Sequence, residues 1–383
     1  MTTLPLLLSL LLALAPGAEP PVKGVGQFLG DAAHQGRYGT TGPEVAAGAT
    51  PKVKWMVTLK GGITSQPLLV NGVLYVATDR GEVHALDAAT GKTRWTRKAA
   101  EKMIGATPAW ADGRILLGGH DRHLRAISAD TGEEAWKIKT DERVLAAPAV
   151  AGGIVYFASW DGRLRAARVA TGEVLWTYVL GEVVVTRGFR GAREVSPVEI
   201  NAAPAVSGGV VYVALHNELH AVDAATGKRR WVFEGSFGDA DAPTVINDGA
   251  VYQGTSLGLV VLDAGTGQER WRFPTEKNVM AAAAVRDGVV FVSSWNDRLY
   301  ALDAATGKQR WAVELEAGQE SSPVVVEGRL YMGSSCAVVA VDPATGDRLW
   351  TFAPDKGGVR ATPVLWDGVY YGATWPGTVF ALE

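Results

Sequence analysis

The sequence predicts an all-β fold: an eight-bladed β-propeller with four-stranded antiparallel blades, its ring closed by an N-terminal strand that completes the last blade. Three observations predict it. The phrase "ALDAATGKTRW" (85–95) recurs in near-copies, its tryptophans lie about forty residues apart, and the letters between them read as short strands joined by tight turns.

The copies end on Trp95, Trp136, Trp176, Trp231, Trp271, Trp311 and Trp350, with spacings of 41, 40, 55, 40, 40 and 39. Threonine and glycine precede each by five and four residues. A period of about forty suits four-stranded propeller blades and also some helical arrays. The unit "APAVAGGIVYFASWDGRLRAARVATGEVLWTYV" (147–179) decides between them. Its β-branched and aromatic runs are too short for helices and are separated by "GG", "DG" and "ATG", which are hairpin signals.

In the "TG" turn, glycine supplies the left-handed conformation that tightens the hairpin. The aspartate four residues earlier (Asp87, Asp223, Asp263, Asp303, Asp342) is placed to bond nearby amides. Ser128 and Arg168 stand at that position in two units, whose turns are expected to lack the brace. The chain stops at "ALE", where other units read "ALD" before the turn, so the last blade lacks its outer strand. "KVKWMVTL" supplies it, with Trp55 in phase 40 residues before Trp95. A tryptophan at one position of every blade is expected to wedge between neighbouring sheets. Burying ~200 Å² of ring there is worth up to ~5 kcal/mol.

Composition bounds the rest. Of 383 residues, 47% are hydrophobic, ample for a packed core. With 37 basic and 40 acidic residues and no basic stripe, nucleic acid is not an expected partner. Residues 1–18 read as a signal peptide, since the apolar run Leu4–Ala15 is too short to cross a bilayer, which takes about 20 residues of helix. Residues 19–50 read as a lead-in and 51–383 as the propeller. No transmembrane segment is expected, and the chain is placed in the periplasm or outside the cell, as a monomer. Cys336 is the single cysteine, so no intrachain disulfide can form, and no cysteine follows the signal for lipid attachment.

The pattern Ala-x-Asp-x-x-Thr-Gly-x-x-x-Trp resembles the tryptophan docking motif of PQQ-type propeller repeats, across residues 51–383. The segment "GQFLGDAAHQGRYGTTGP" (26–43) is similar to the stretch before the first blade of such proteins. The resemblance implies one of two branches. Quinoprotein dehydrogenases hold pyrroloquinoline quinone and calcium on the ring axis. The BamB-like group is non-catalytic and serves as a scaffold in outer-membrane protein assembly. The dehydrogenases are generally much longer and carry a disulfide between adjacent cysteines, which this chain cannot form.

Function is therefore sought where the copies disagree. Thr64, Gly105, Leu145, Asn201, Ala240, Met280, Glu320 and Arg360 precede the inner strands and line the axis. For the dehydrogenase reading, Asn201 and Arg360 are donors to the quinone carboxylates, and Asp239, Asp241 and Glu320 are candidate cation ligands. The plainer reading is a solvated channel mouth with local ion pairs. The pairs His120/His123 and His216/His220 fall on turns and strands rather than one helix face, and make no recognisable metal site. Cys336 in "GSSC" is expected to be a semi-buried small residue. Trp160, Trp295 and Trp375, out of phase with the repeat, are either turn packing or aromatic anchors for a partner.

The 55-residue spacing hides an insert at 180–200, carrying Arg187, Phe189, Arg190 and Arg193. Inserts in repeat proteins emerge as loops, often on the binding face. The leading expectation is a non-catalytic envelope scaffold that binds a protein partner through this insert and uses no cofactor. The alternatives are a small quinoprotein oxidoreductase and an envelope carbohydrate-binding or sensor module.

Overall fold

A computed structural model describes residues 24–25, 27–34, 41–182, 184–187, 193–196, 198–235, 242–315, 321–355 and 357–383. Eight antiparallel meanders make the blades of a propeller. Blade 1 comprises Leu68–Val70, Val73–Ala77, Glu82–Asp87 and Thr93–Lys98. Burial follows from the stacking of sheets. Second and third strands lie between two neighbouring blades and are buried almost throughout, as Val73–Ala77 shows. Outer strands such as Thr93–Lys98 are largely exposed, apart from the inward tryptophan.

The ring closes as the sequence predicts. Val53–Thr58 pairs with Thr378–Leu382, with Trp55 opposite Ala381. Beyond them Lys52 and Glu383 exchange backbone hydrogen bonds of 2.9 Å in both directions. Blade 8 is thus built from segments far apart in the sequence, Val53–Thr58 and the strands from Val364 to Leu382.

Each joint between blades repeats one arrangement. The Trp95 indole donates to Ala129 O of the next blade at 3.1 Å, and its ring covers the α-carbon of Gly132. Trp55, Trp136, Trp176, Trp231, Trp271 and Trp311 likewise donate to the next blade's turn at Ala88, Val169, Ala224, Ala264, Ala304 and Pro343. At three of the joints a tyrosine hydroxyl shares the indole's acceptor. Tyr75, Tyr156 and Tyr212, on second strands, donate to the same carbonyls as Trp95, Trp176 and Trp231, at 3.1, 3.4 and 3.0 Å. Trp350 differs, because its neighbour is the closure of blade 8 rather than a turn. It is 2% exposed, and its indole nitrogen has no partner among the described groups.

The turns hold themselves together. Asp263 Oδ1 accepts from the Thr266 amide and hydroxyl at 2.9 and 3.0 Å, while Oδ2 takes Arg270 at 2.7 Å. Ser128 corrects the expectation of an unbraced turn: its hydroxyl accepts from the Thr131 amide at 3.3 Å, the role of the aspartate oxygen. At Arg168 the guanidinium instead takes Glu173 at 2.9 Å.

The described part of the lead-in packs on the inner strands of the propeller. Gly24–Val25 pairs with Leu69–Val70 as a fifth, innermost strand of blade 1. Gln27 then clamps the backbone of Val150 in blade 3, its Oε1 accepting from the amide at 3.0 Å. Ala32 and Ala33 carbonyls accept from Val206 and Ile246 of blades 4 and 5 at 2.6 and 2.9 Å. Inner strands have one free edge, and it faces the axis, so their unpaired amides attract any extended chain there. Phe28 and Leu29 are buried among these strands.

Candidate functional site

Two faces and one rim could carry function. The loop face bears the strand 2–3 turns and the connections between blades; the turn face bears the strand 1–2 and 3–4 turns. On the loop face Asn201 and Arg360 are exposed, and Met280 and Leu145 are half-buried. Asp239, Asp241, Glu320, Phe189 and Arg190 lie outside the described residues.

Below that face the axis is occupied by the lead-in. His34 is fully buried there and its Nδ1 lies 2.8 Å from Thr244 O. A carbonyl only accepts, so Nδ1 carries the proton and Nε2 is the bare lone pair, with no partner among the described groups. Burial lowers the His34 pKa to about 4, against the smaller upward pull of that hydrogen bond.

The candidate cation ligands Asp239, Asp241 and Glu320 all lie outside the described residues. Among the described residues no three His, Cys, Asp or Glu side chains gather, and calcium needs a cage of six to eight oxygens. One histidine of each pair is engaged locally. His220 lies between Tyr178 Oη at 3.2 Å and Glu218 Oε2 at 3.0 Å, while His123 Nδ1 faces Asp121 O at 2.8 Å. Burial holds the His220 pKa down against the pull of Glu218. In strand three of blades 2 and 3, Arg125 and Arg165 form buried pairs with Asp121 and Asp161, each 2.6 Å at its shorter contact. In each pair both carboxylate oxygens accept from the guanidinium.

The aromatic turns divide. Trp295 and Trp375 are exposed, with Leu257 on the neighbouring turn of blade 5. Trp375 also covers the α-carbon of Gly62, where a β-carbon would meet the ring at 2.8 Å. Trp160 is half-buried against the core of blades 3 and 4, with Arg143 5.3 Å above its ring. Cys336 is exposed, correcting the expectation of a semi-buried thiol; its turn is held by Ser334 Oγ, which accepts from the Cys336 and Ala337 amides.

The rim of blade 3 departs furthest from the repeat. Every other outer strand carries at least one charge, from Lys54 alone in Val53–Thr58 to three in Thr93–Lys98. The blade 3 strand, Val174–Val179, reads VLWTYV and carries none. Val174, Leu175 and Val179 are 42, 38 and 53% exposed. Charges normally protect such an edge from pairing with another chain, and here they are missing.

The insert begins directly after that strand. Val184–Arg187 and Arg193–Ser196 form a two-stranded hairpin belonging to no blade, with Arg187 and Arg193 in cross-strand register. Its return is fastened to the blade 3 turn, where the Val198 amide donates to Trp160 O at 3.0 Å. Sequence reasoning located the insert by its excess length. It missed the bare edge, which only a comparison of the eight outer strands displays.

The family profile described as outer membrane protein assembly factor BamB matches residues 43–253 and 256–383, nearly the whole propeller. The chain belongs to the BamB family. A BamB from Moranella endobia is 24% identical over 190 residues, 48% of this chain and 37% of that protein. A 1-butanol dehydrogenase (cytochrome c) from Thauera butanivorans is 33% identical over 89 residues, 21% of this chain and 13% of that enzyme. The chain thus spans well under two thirds of the curated relatives it matches. The crystal structure of BamB from Moraxella catarrhalis superposes with a TM-score of 0.73 at 19% identity, over 87% of this chain and all of that one. At that identity the likeness is one of fold alone.

Proposed function

We propose that this protein is a non-catalytic scaffold of the cell envelope, acting in the periplasm, that docks an extended segment of a protein partner along the rim of blade 3. The uncharged, exposed outer strand Val174–Val179 carries the reading. Strand addition draws affinity from backbone hydrogen bonds and specificity from alternate side chains, and this edge offers both without an opposing charge. The adjoining hairpin brings Arg187 and Arg193, with Arg190 in the same insert, so the fitting partner has acidic residues next to its apolar strand. Membership in the BamB family and the exported reading of residues 1–18 support an envelope location and protein partners.

Cross-linking in the native envelope tests this, using wild type, Val179→Lys and a deletion of residues 184–196. Each variant should lose the same partner while keeping the wild-type melting temperature within a few degrees. A partner retained by both variants would sink the rim as the docking site. The dehydrogenase relatives keep one enzymatic alternative, a quinone and calcium held by Asn201, Arg360 and the carboxylates Asp239, Asp241 and Glu320. Stabilisation of the folded chain by quinone plus calcium, with dye reduction by alcohols, would favour that alternative over the scaffold.

A further inference from the structure

The joint between blades 6 and 7 lacks the double clamp found at three others. In joints 1/2, 3/4 and 4/5 a tyrosine hydroxyl and an indole N–H share one turn carbonyl. At the equivalent place in blade 6 stands Phe291, and the turn it faces carries Pro343 in place of the usual alanine. The ring itself has not moved. Phe291 and Trp311 centroids are 5.9 Å apart at 43°, against 5.9 Å and 44° for Tyr156 and Trp176. Pro343 O receives the Trp311 indole at 3.1 Å and no phenol beside it.

A cavity of about 340 Å³ opens at this joint on the turn face. Phe291, Trp311, Val289, Val325 and Pro343 form its apolar walls. The volume falls in the range of small-molecule sites, roughly 300–1,000 Å³. Its charged rim is unequal. Arg310 is engaged by Asp303 Oδ2 at 2.8 Å and Gly288 O at 3.2 Å. Among the described residues Arg286 meets only the neighbouring Asp287 carboxylate, at 3.5 Å, and the Asp287 side chain is 89% exposed. An exposed pair of this kind is weak and readily exchanged for a better-placed carboxylate. Asp287 and Glu327 on the same rim oppose a second negative charge.

From these features we infer that the blade 6/7 joint is a binding site for a small aromatic hydroxy acid. The ring of the ligand lies against Phe291 and Trp311. Its hydroxyl donates to Pro343 O, replacing the phenol that other joints supply from their own chain. Its single carboxylate pairs with Arg286 in a bidentate contact, which an arginine fork suits. The site belongs to the face opposite the loop face and is independent of docking at the blade 3 rim.

Calorimetric titration of the full chain with 4-hydroxyphenylacetate tests the assignment, with phenylacetate and 4-ethylphenol as probes lacking the hydroxyl or the charge. The hydroxy acid should bind saturably and each truncated probe about five- to tenfold more weakly, the worth of one hydrogen bond or ion pair. Phe291→Tyr places a hydroxyl on Pro343 O, as in the tyrosine joints, and should abolish the preference for 4-hydroxyphenylacetate over phenylacetate. Arg286→Ala, a change at the rim, should weaken both acids and leave 4-ethylphenol unaffected. No saturable binding at millimolar ligand, or equal binding by wild type and both folded variants, would overturn the site.

Discussion

The indole of Trp136 lies against the α-carbon of Gly172 so closely that a β-carbon there would meet the ring at 2.8 Å. Gly153, in the same blade and with the same φ of +74°, faces open space. Glycine is required at both by backbone conformation and at one of them also by packing. Gly153→Ala should cost about 1–2 kcal/mol for left-handed backbone alone. Gly172→Ala should cost about 1–3 kcal/mol more, because a rigid ring must shift. Urea unfolding of both variants checks the difference; equal losses would refute the packing role.

The indole N–H groups can be weighed in the same way. Trp231 donates to Ala264 O at 3.1 Å, whereas Trp350 finds no partner among the described groups. Trp231→Phe should therefore destabilise by about 1 kcal/mol more than Trp350→Phe, the net value of one hydrogen bond. Thermal unfolding of the pair is the measurement.

His34 predicts a pH dependence near neutrality. Its pKa is about 4 in the folded chain against an ordinary 6.5, so as pH falls the unfolded state takes the proton first. Its contribution is complete above about pH 6.5, declines down to about pH 4 and then levels off, a loss on the order of 3 kcal/mol. His34→Asn keeps a side-chain donor for Thr244 O and suits the φ of +56°. It should remove that slope in urea midpoints taken across the window.

The turn aspartates act at lower pH. Hydrogen bonds from Arg230, Arg270 and Arg310, then from the turn threonines, hold Asp223, Asp263 and Asp303 at about 2. Carboxylates with lowered pKa stabilise above their ordinary value of 3.8 and lose that effect as pH falls toward 2. Asp263→Asn should unfold more readily than wild type at pH 7. The gap should close by pH 2, as circular dichroism would follow.

Much of this architecture is written as period. Forty-residue spacing, the "TG" turns and the phase of Trp55 fixed the blades and the closing strand, because each is a side-chain requirement repeated in letters. The tyrosine clamp was written in the same period, at Tyr75, Tyr156 and Tyr212, and could have been found by aligning second strands. The position of the lead-in could not. Ala32 and Ala33 engage blades 4 and 5 through carbonyl oxygens, which every residue possesses, so no letter marks the contact. Exposure was equally hard to read: Trp160 is partly covered by its own neighbours and Cys336 is not, although both sit on strand 2–3 turns.

The closing strand and the lead-in together set an order of assembly. Val53–Thr58 pairs with Thr378–Leu382, near the end of the chain, and Ala32 and Ala33 need inner strands of blades 4 and 5. These segments thus take their places only once strands much later in the sequence have formed. Bringing such distant partners together carries a loop-closure cost that local blade contacts do not. Until it is met, Thr378–Leu382 lacks the partner strand that completes blade 8. Before closure, the strand this chain most needs to bind is its own Val53–Thr58.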